Sequence, residues 1–177
     1  MFNNLLQKIA GFLFNGRKVG LHEEARTHWH WRLEVFNADG SLDQCIERDN
    51  LIPDVAGNAY AQQAAGINTQ NIGQSQYCAL GTNATAPSYG DVQLGTETIR
   101  KPISINTVSG RTATLKTFYS QTEVVGTFRE VGLFGNGATT VASITANSGI
   151  LFSKIAVNFT IAATQTLIIT ITYTFTS

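Results

Sequence analysis

"HWHWRLEVFNADGSLDQCIERD", residues 28–49, decides the fold class. Trp29, Trp31, Leu33 and Val35 occupy one face of a period-two pattern, and His28, His30, Arg32 and Glu34 occupy the other. Successive side chains of a strand point to opposite faces, so this pattern predicts a half-buried strand with its tryptophans in a core. Asp39-Gly40 is a favoured pair for a tight hairpin turn, and a return strand is expected from Gln44 to Arg48.

Downstream, "NLIPDVAGNAYAQQAAG" (50–66) reads as a short helix. Pro53 and Asp54 open it, alanines fill it and Gly66 ends it. Further strands are expected near 76–81, 99–107, 111–120, 127–134, 139–145, 150–159 and 165–176, with a tight turn at Asn136-Gly137. In the last strand Leu167, Ile169, Ile171, Tyr173 and Phe175 alternate with Ile168, Thr170, Thr172 and Thr174. Many strands, short turns and two small helices predict a mainly β protein, an antiparallel β-sandwich or jelly-roll-like fold over 28–177.

Upstream, "NNLLQKIAGFLF" (3–14) spaces Leu5, Leu6, Ile9, Phe12 and Leu13 as one face of a helix, within a segment 1–16 joined by a connector, 17–27. So short a helix is marginal alone in water, so its stripe is expected to dock on the parent domain or a neighbouring subunit. Its single lysine, Lys8, is a weak cationic face for a membrane surface.

Composition narrows the function classes. Twelve Lys and Arg balance twelve Asp and Glu, which argues against a nucleic-acid partner. No stretch reaches the ~20 apolar residues of a membrane span, and no signal peptide is recognisable, so synthesis in the cytoplasm is expected. Cys45 and Cys78 fit neither a C-x-x-C nor a zinc spacing; Cys78 reads as a core residue, and whether the two pair is left open. Beyond Glu130 the only charged side chain is Lys154. That shortage fits either a neutral, Thr-rich sandwich or an assembly component covered by neighbours.

Candidate chemistry is sparse. His28, His30 and Glu34 share a strand face and resemble the first half of the cupin metal motif, which would imply a cupin-like metalloenzyme. The motif then fails, because His22 stands where it has glycine and no histidine follows His30. The face is therefore expected to be solvated or part of an interface, with no metal or other cofactor. No nucleophile motif occurs, and the carboxylates Asp91, Glu97, Glu123 and Glu130 are scattered along the chain. Aromatics such as Tyr89 and Tyr119 would serve a carbohydrate-binding sandwich.

"YCALGTNATAPSYGDVQLGTETIR" (77–100) resembles a ligand loop at first reading. Its glycines, Gly81, Gly90 and Gly95, match neither G-x-x-x-x-G-K-[ST] nor G-x-G-x-x-G. A structural role needs less: Gly81 ends a strand, Pro87 lies in a long exposed turn, Asp91 caps the re-entry, and Glu97 pairs with Arg100.

Three stretches in order, "WRLEVFNADGSLDQCIERDNLIPDVAGNAYAQQ" (31–63), "ALGT…AP..GD..LGTE..R" (79–100) and "TFREVGLFGNG" (127–137) before "TLIITITYTF", resemble small β-sandwich modules of tailed-bacteriophage virions. These are capsid decoration, head-fibre, tail-fibre and adaptor components. The resemblance spans about residues 29–176 and singles out Gly81, Pro87, Asp91, Leu94, Glu97, Arg100, Glu130 and Gly132 as structural positions. It implies a non-enzymatic virion protein, most simply a decoration or cement protein. The implied partners are other copies of itself, other virion proteins and a host-surface glycan, with the N-terminal stripe as an anchor.

Overall fold

The computed structural model describes residues 26–67, 75–135 and 148–176. The N-terminal stripe (Leu5, Leu6, Ile9, Phe12 and Leu13), the strand expected at 139–145 and the Asn136-Gly137 turn lie outside these residues. So does the side chain of His28.

Among the described residues, nine strands and one helix follow in the order β1 (Arg26–Phe36), β2 (Leu42–Asp49), α1 (Asp54–Ala64), β3 (Ser75–Gly81), β4 (Glu97–Pro102), β5 (Ile105–Ser109), β6 (Thr112–Tyr119), β7 (Gly126–Gly135), β8 (Ile150–Ile161) and β9 (Thr166–Thr176). A five-stranded sheet, β2-β1-β9-β6-β5, packs on a four-stranded one, β4-β3-β7-β8, and every pairing is antiparallel. The fold is a β-sandwich. Four sequence-local pairs, β1-β2, β3-β4, β5-β6 and β7-β8, are its units, and β9 joins the first to the third by pairing with both β1 and β6.

The period-two reading of β1 holds. Trp29, Trp31, Leu33 and Val35 are buried, opposite Tyr173, Ile171, Ile169 and Leu167 of β9. From the other sheet Leu80, Leu133, Phe152, Ile155 and Phe159 fill the same core. Polar ties also cross it: the Trp31 indole N–H donates to Ser153 Oγ at 2.9 Å, and Asn50 Nδ2 donates to the same oxygen at 2.6 Å. Gly40 turns the first hairpin with φ +83°, a conformation glycine adopts at little cost. Helix α1 runs from an N-cap at Pro53 to Gly66, as its sequence predicts, and buries Ala56 and Ala59.

One expectation is corrected, and two points that the sequence left open are answered. The strand expected at 99–107 is two strands in different sheets, β4 and β5. Pro102 has no N–H to extend the ladder, and the chain crosses between sheets at Ile103 and Ser104. The apolar C-terminal strand needs no neighbouring subunit to cover its edges, because β9 is central and both edges are paired within the chain. Cys45 is exposed on β2 whereas Cys78 is buried on β3 of the other sheet, and both are free thiols.

Burial pushes the Cys78 thiol up to about 12, so its reactive thiolate is suppressed. A thiol reagent applied to the folded protein is expected to label one cysteine, Cys45. Labelling of Cys78 is expected only in denaturant, and peptide mapping after each treatment checks the assignment.

Candidate functional site

The four-stranded sheet carries a second, outward-facing layer. Along β7, Val131 and Leu133 point to the main core, while Glu130, Gly132 and Phe134 point away from it, yet all five are buried. The loop 82–96 covers that outer face. Leu94 is fully buried there against Ala79, Phe134 and Leu151, and Val55 of α1 packs beside it.

Small residues make the close approach possible. A Cβ on Gly132 would stand 2.9 Å from Leu94 Cδ2, and one on Gly81 would stand 2.5 Å from Glu130 Oε1 and 2.6 Å from the Thr96 carbonyl. Ala79 completes this floor beside Gly132, its partner across the β3-β7 ladder.

Glu130 fastens the loop. Its Oε1 accepts the backbone N–H of Thr96 at 2.7 Å and of Asn83 at 3.4 Å, and its Oε2 accepts that of Gly95 at 2.9 Å. Lys154 of β8 lies 3.3 Å from Oε2 and also reaches Asp91 Oδ2 at 3.0 Å. Asp91 itself accepts the Ser88 N–H at 3.1 Å, which closes the turn it was expected to cap. A fully buried carboxylate is tolerable only when paired and hydrogen-bonded, and here both oxygens are engaged.

A second staple holds the far end of the loop. The guanidinium of Arg100 meets the Glu97 carboxylate through two parallel bonds, at 2.5 and 2.7 Å. It also donates to the Ser148 carbonyl at 3.0 Å and lies 4.4 Å from the centre of the Phe134 ring. This planar, bidentate and stacked geometry suits arginine and not lysine. The sequence-predicted pair is therefore present, and it is buried. Pro87 is half-buried within the exposed turn, and Tyr89 is 65% exposed beside it.

The other candidates separate. On the outer face of β1, His30 Nδ1 lies 3.2 Å from Asp49 Oδ1, and Glu34 accepts from Arg32 at 2.8 Å. Among the described residues no group of three metal-ligating side chains converges. Tyr119 is not a surface aromatic: it is buried in the core, and its hydroxyl donates to the Cys78 carbonyl at 2.8 Å.

What sequence reasoning missed is the Glu130–Lys154 pair. The two come from neighbouring strands, with Lys154 opposite Gly132, and nothing local in the sequence links them. The available signal was Lys154 itself, the lone charge in an apolar and Thr-rich stretch.

Glu130→Ala is expected to cost about 3–5 kcal/mol, because it strands Lys154 and the loop amides together; chemical denaturation measures the loss. A pair between β4 and the turn that follows β6 adds a pH dependence. Lys101 Nζ bonds Glu123 at 2.6 and 2.7 Å, and Ser120 donates to the same carboxylate. These bonds, Lys101 first, hold Glu123 at about 2, down from an ordinary 4.5. Its stabilisation is complete above about pH 4.5 and is lost as pH falls through about 2. Glu123→Gln is expected to flatten that part of an acid-unfolding profile.

No protein-family model, curated protein or solved structure matches the chain.

Proposed function

We propose that the chain is a non-enzymatic structural component of a tailed-phage virion, a decoration or cement protein present in many copies. The observation that supports this reading is the single job shared by the residues behind the resemblance. Gly81, Asp91, Leu94, Glu97, Arg100, Glu130 and Gly132 all serve to hold the loop 82–96 on the outer face of one sheet. Their polar groups are engaged with the loop and with each other, an arrangement that suits rigidity.

A loop fixed at both ends loses little conformational freedom when it docks, which favours its use as a contact surface. Its crest presents Tyr89 and Val92, both exposed. Tyrosine is over-represented among residues that dominate interface energetics. The partners of this surface are other virion proteins or further copies of the chain.

Quantitative gel densitometry of purified particles, with an antibody to identify the band, tests the reading. The expected result is a copy number in the hundreds, as a symmetric shell requires. About a dozen copies or fewer would place the protein in a tail-fibre or adaptor, as symmetric tail assemblies hold few subunits. Absence from the particles would overturn the virion assignment. Tyr89→Ala is expected to lower incorporation while leaving thermal stability unchanged.

A further inference from the structure

An apolar groove of about 500 Å³ lies where α1 faces the first residues of β1 and the last of β9. Its wall is a continuous aromatic series. The Trp29 and Tyr173 rings are 4.5 Å apart, the Tyr173 and Phe175 rings 4.6 Å, and Tyr60 and Ile52 close the other side. Phe175 remains 50% exposed. Trp29 is only 3% exposed, yet among the described residues its indole N–H has no acceptor. Buried donors are nearly always paired, so an occupant that offers an acceptor would suit this groove.

We propose that the groove seats the chain's own N-terminal segment. The Leu5, Leu6, Ile9, Phe12 and Leu13 stripe packs on Trp29, Tyr60 and Phe175, and an acceptor from the segment meets the Trp29 indole. Position supports this: the segment enters β1 at Arg26, three residues before Trp29. Length supports it as well, since residues 14–25 extend to roughly 40 Å at ~3.3–3.6 Å each, ample to fold back. The chemistry is complementary, because a stripe of five large apolar side chains meets a wall of aromatic ones. The tether selects the chain's own segment over that of a second copy, because a short linker holds it at an effective concentration in the millimolar range. This assignment stands independently of the virion reading.

The full chain tests it through trypsin cleavage after Lys8, compared with the groove-filling variant Gly57→Leu. A Cβ at Gly57 meets nothing within 4 Å, and leucine favours the helix more than glycine does, so the variant keeps the fold. Cleavage after Lys8 is expected to accelerate at least about tenfold in Gly57→Leu and in Phe12→Asp, since proteolysis follows the undocked population. In Phe12→Asp the Trp29 indole resonance is expected to shift while that of Trp31, bonded to Ser153, stays in place. Equal cleavage in all three proteins, or an unmoved Trp29 resonance, overturns the proposal. Protection of Lys8 that grows with protein concentration also overturns it, because the groove would then hold another copy's segment.

Discussion

A carboxylate enclosed in protein on all sides must be given partners, and the Glu130 side chain imposes that requirement on everything around it. Because Glu130 points away from the main core, its partners lie on the outer side of its sheet: the loop 82–96 and Lys154 of the neighbouring strand β8. The loop must lie flat enough for the Thr96 and Gly95 amides to reach it, which demands glycine at 81 and 132. Once flat, the loop lays Leu94 over Ala79, Phe134 and Leu151, and the outer face of β7 becomes a small core of its own. One ion-pair network thus converts a two-layer protein into one with a partial third layer.

That third layer explains why some of the fold was legible in the sequence and some was not. Strands buried on one face advertise themselves by alternation, as β1 and β9 do. Strand β7 is buried on both faces beyond Arg129, so its residues from Glu130 to Gly135 alternate between two interiors and give no polar rhythm to read. The Glu97–Arg100 pair was legible because its members stand three positions apart. The Glu130–Lys154 pair depends on strand neighbours, and only the pairing of β7 with β8 brings it together. The merging of β4 and β5 into one expected strand has a similar cause. Their side chains favour β structure throughout, and which sheet each joins is a tertiary matter.

The poverty of charge toward the C-terminus also takes on a local meaning. Leu167, Ile169 and Ile171 fill the core, while Thr170, Thr172 and Thr174 lie half-buried on the outer face. A central strand has neighbours on both sides, which leaves little room or need for long charged side chains. Lys154, the exception, is directed at Glu130 and Asp91.

The central place of β9 has a consequence in time. His30 of β1 pairs with Thr172 of β9, so β1 waits for roughly 140 further residues, on the order of ten seconds at ribosomal rates of ~5–20 residues per second. Throughout that wait β1 can pair within its sheet only with β2, and its other edge has no partner. The salt-bridged outer face of that hairpin, Arg32 with Glu34 and Glu47, keeps one side of it soluble meanwhile. The last strand therefore joins two hairpins in one late step, and a ribosome that stalls before Thr166 releases both with an unpaired edge where β9 belongs.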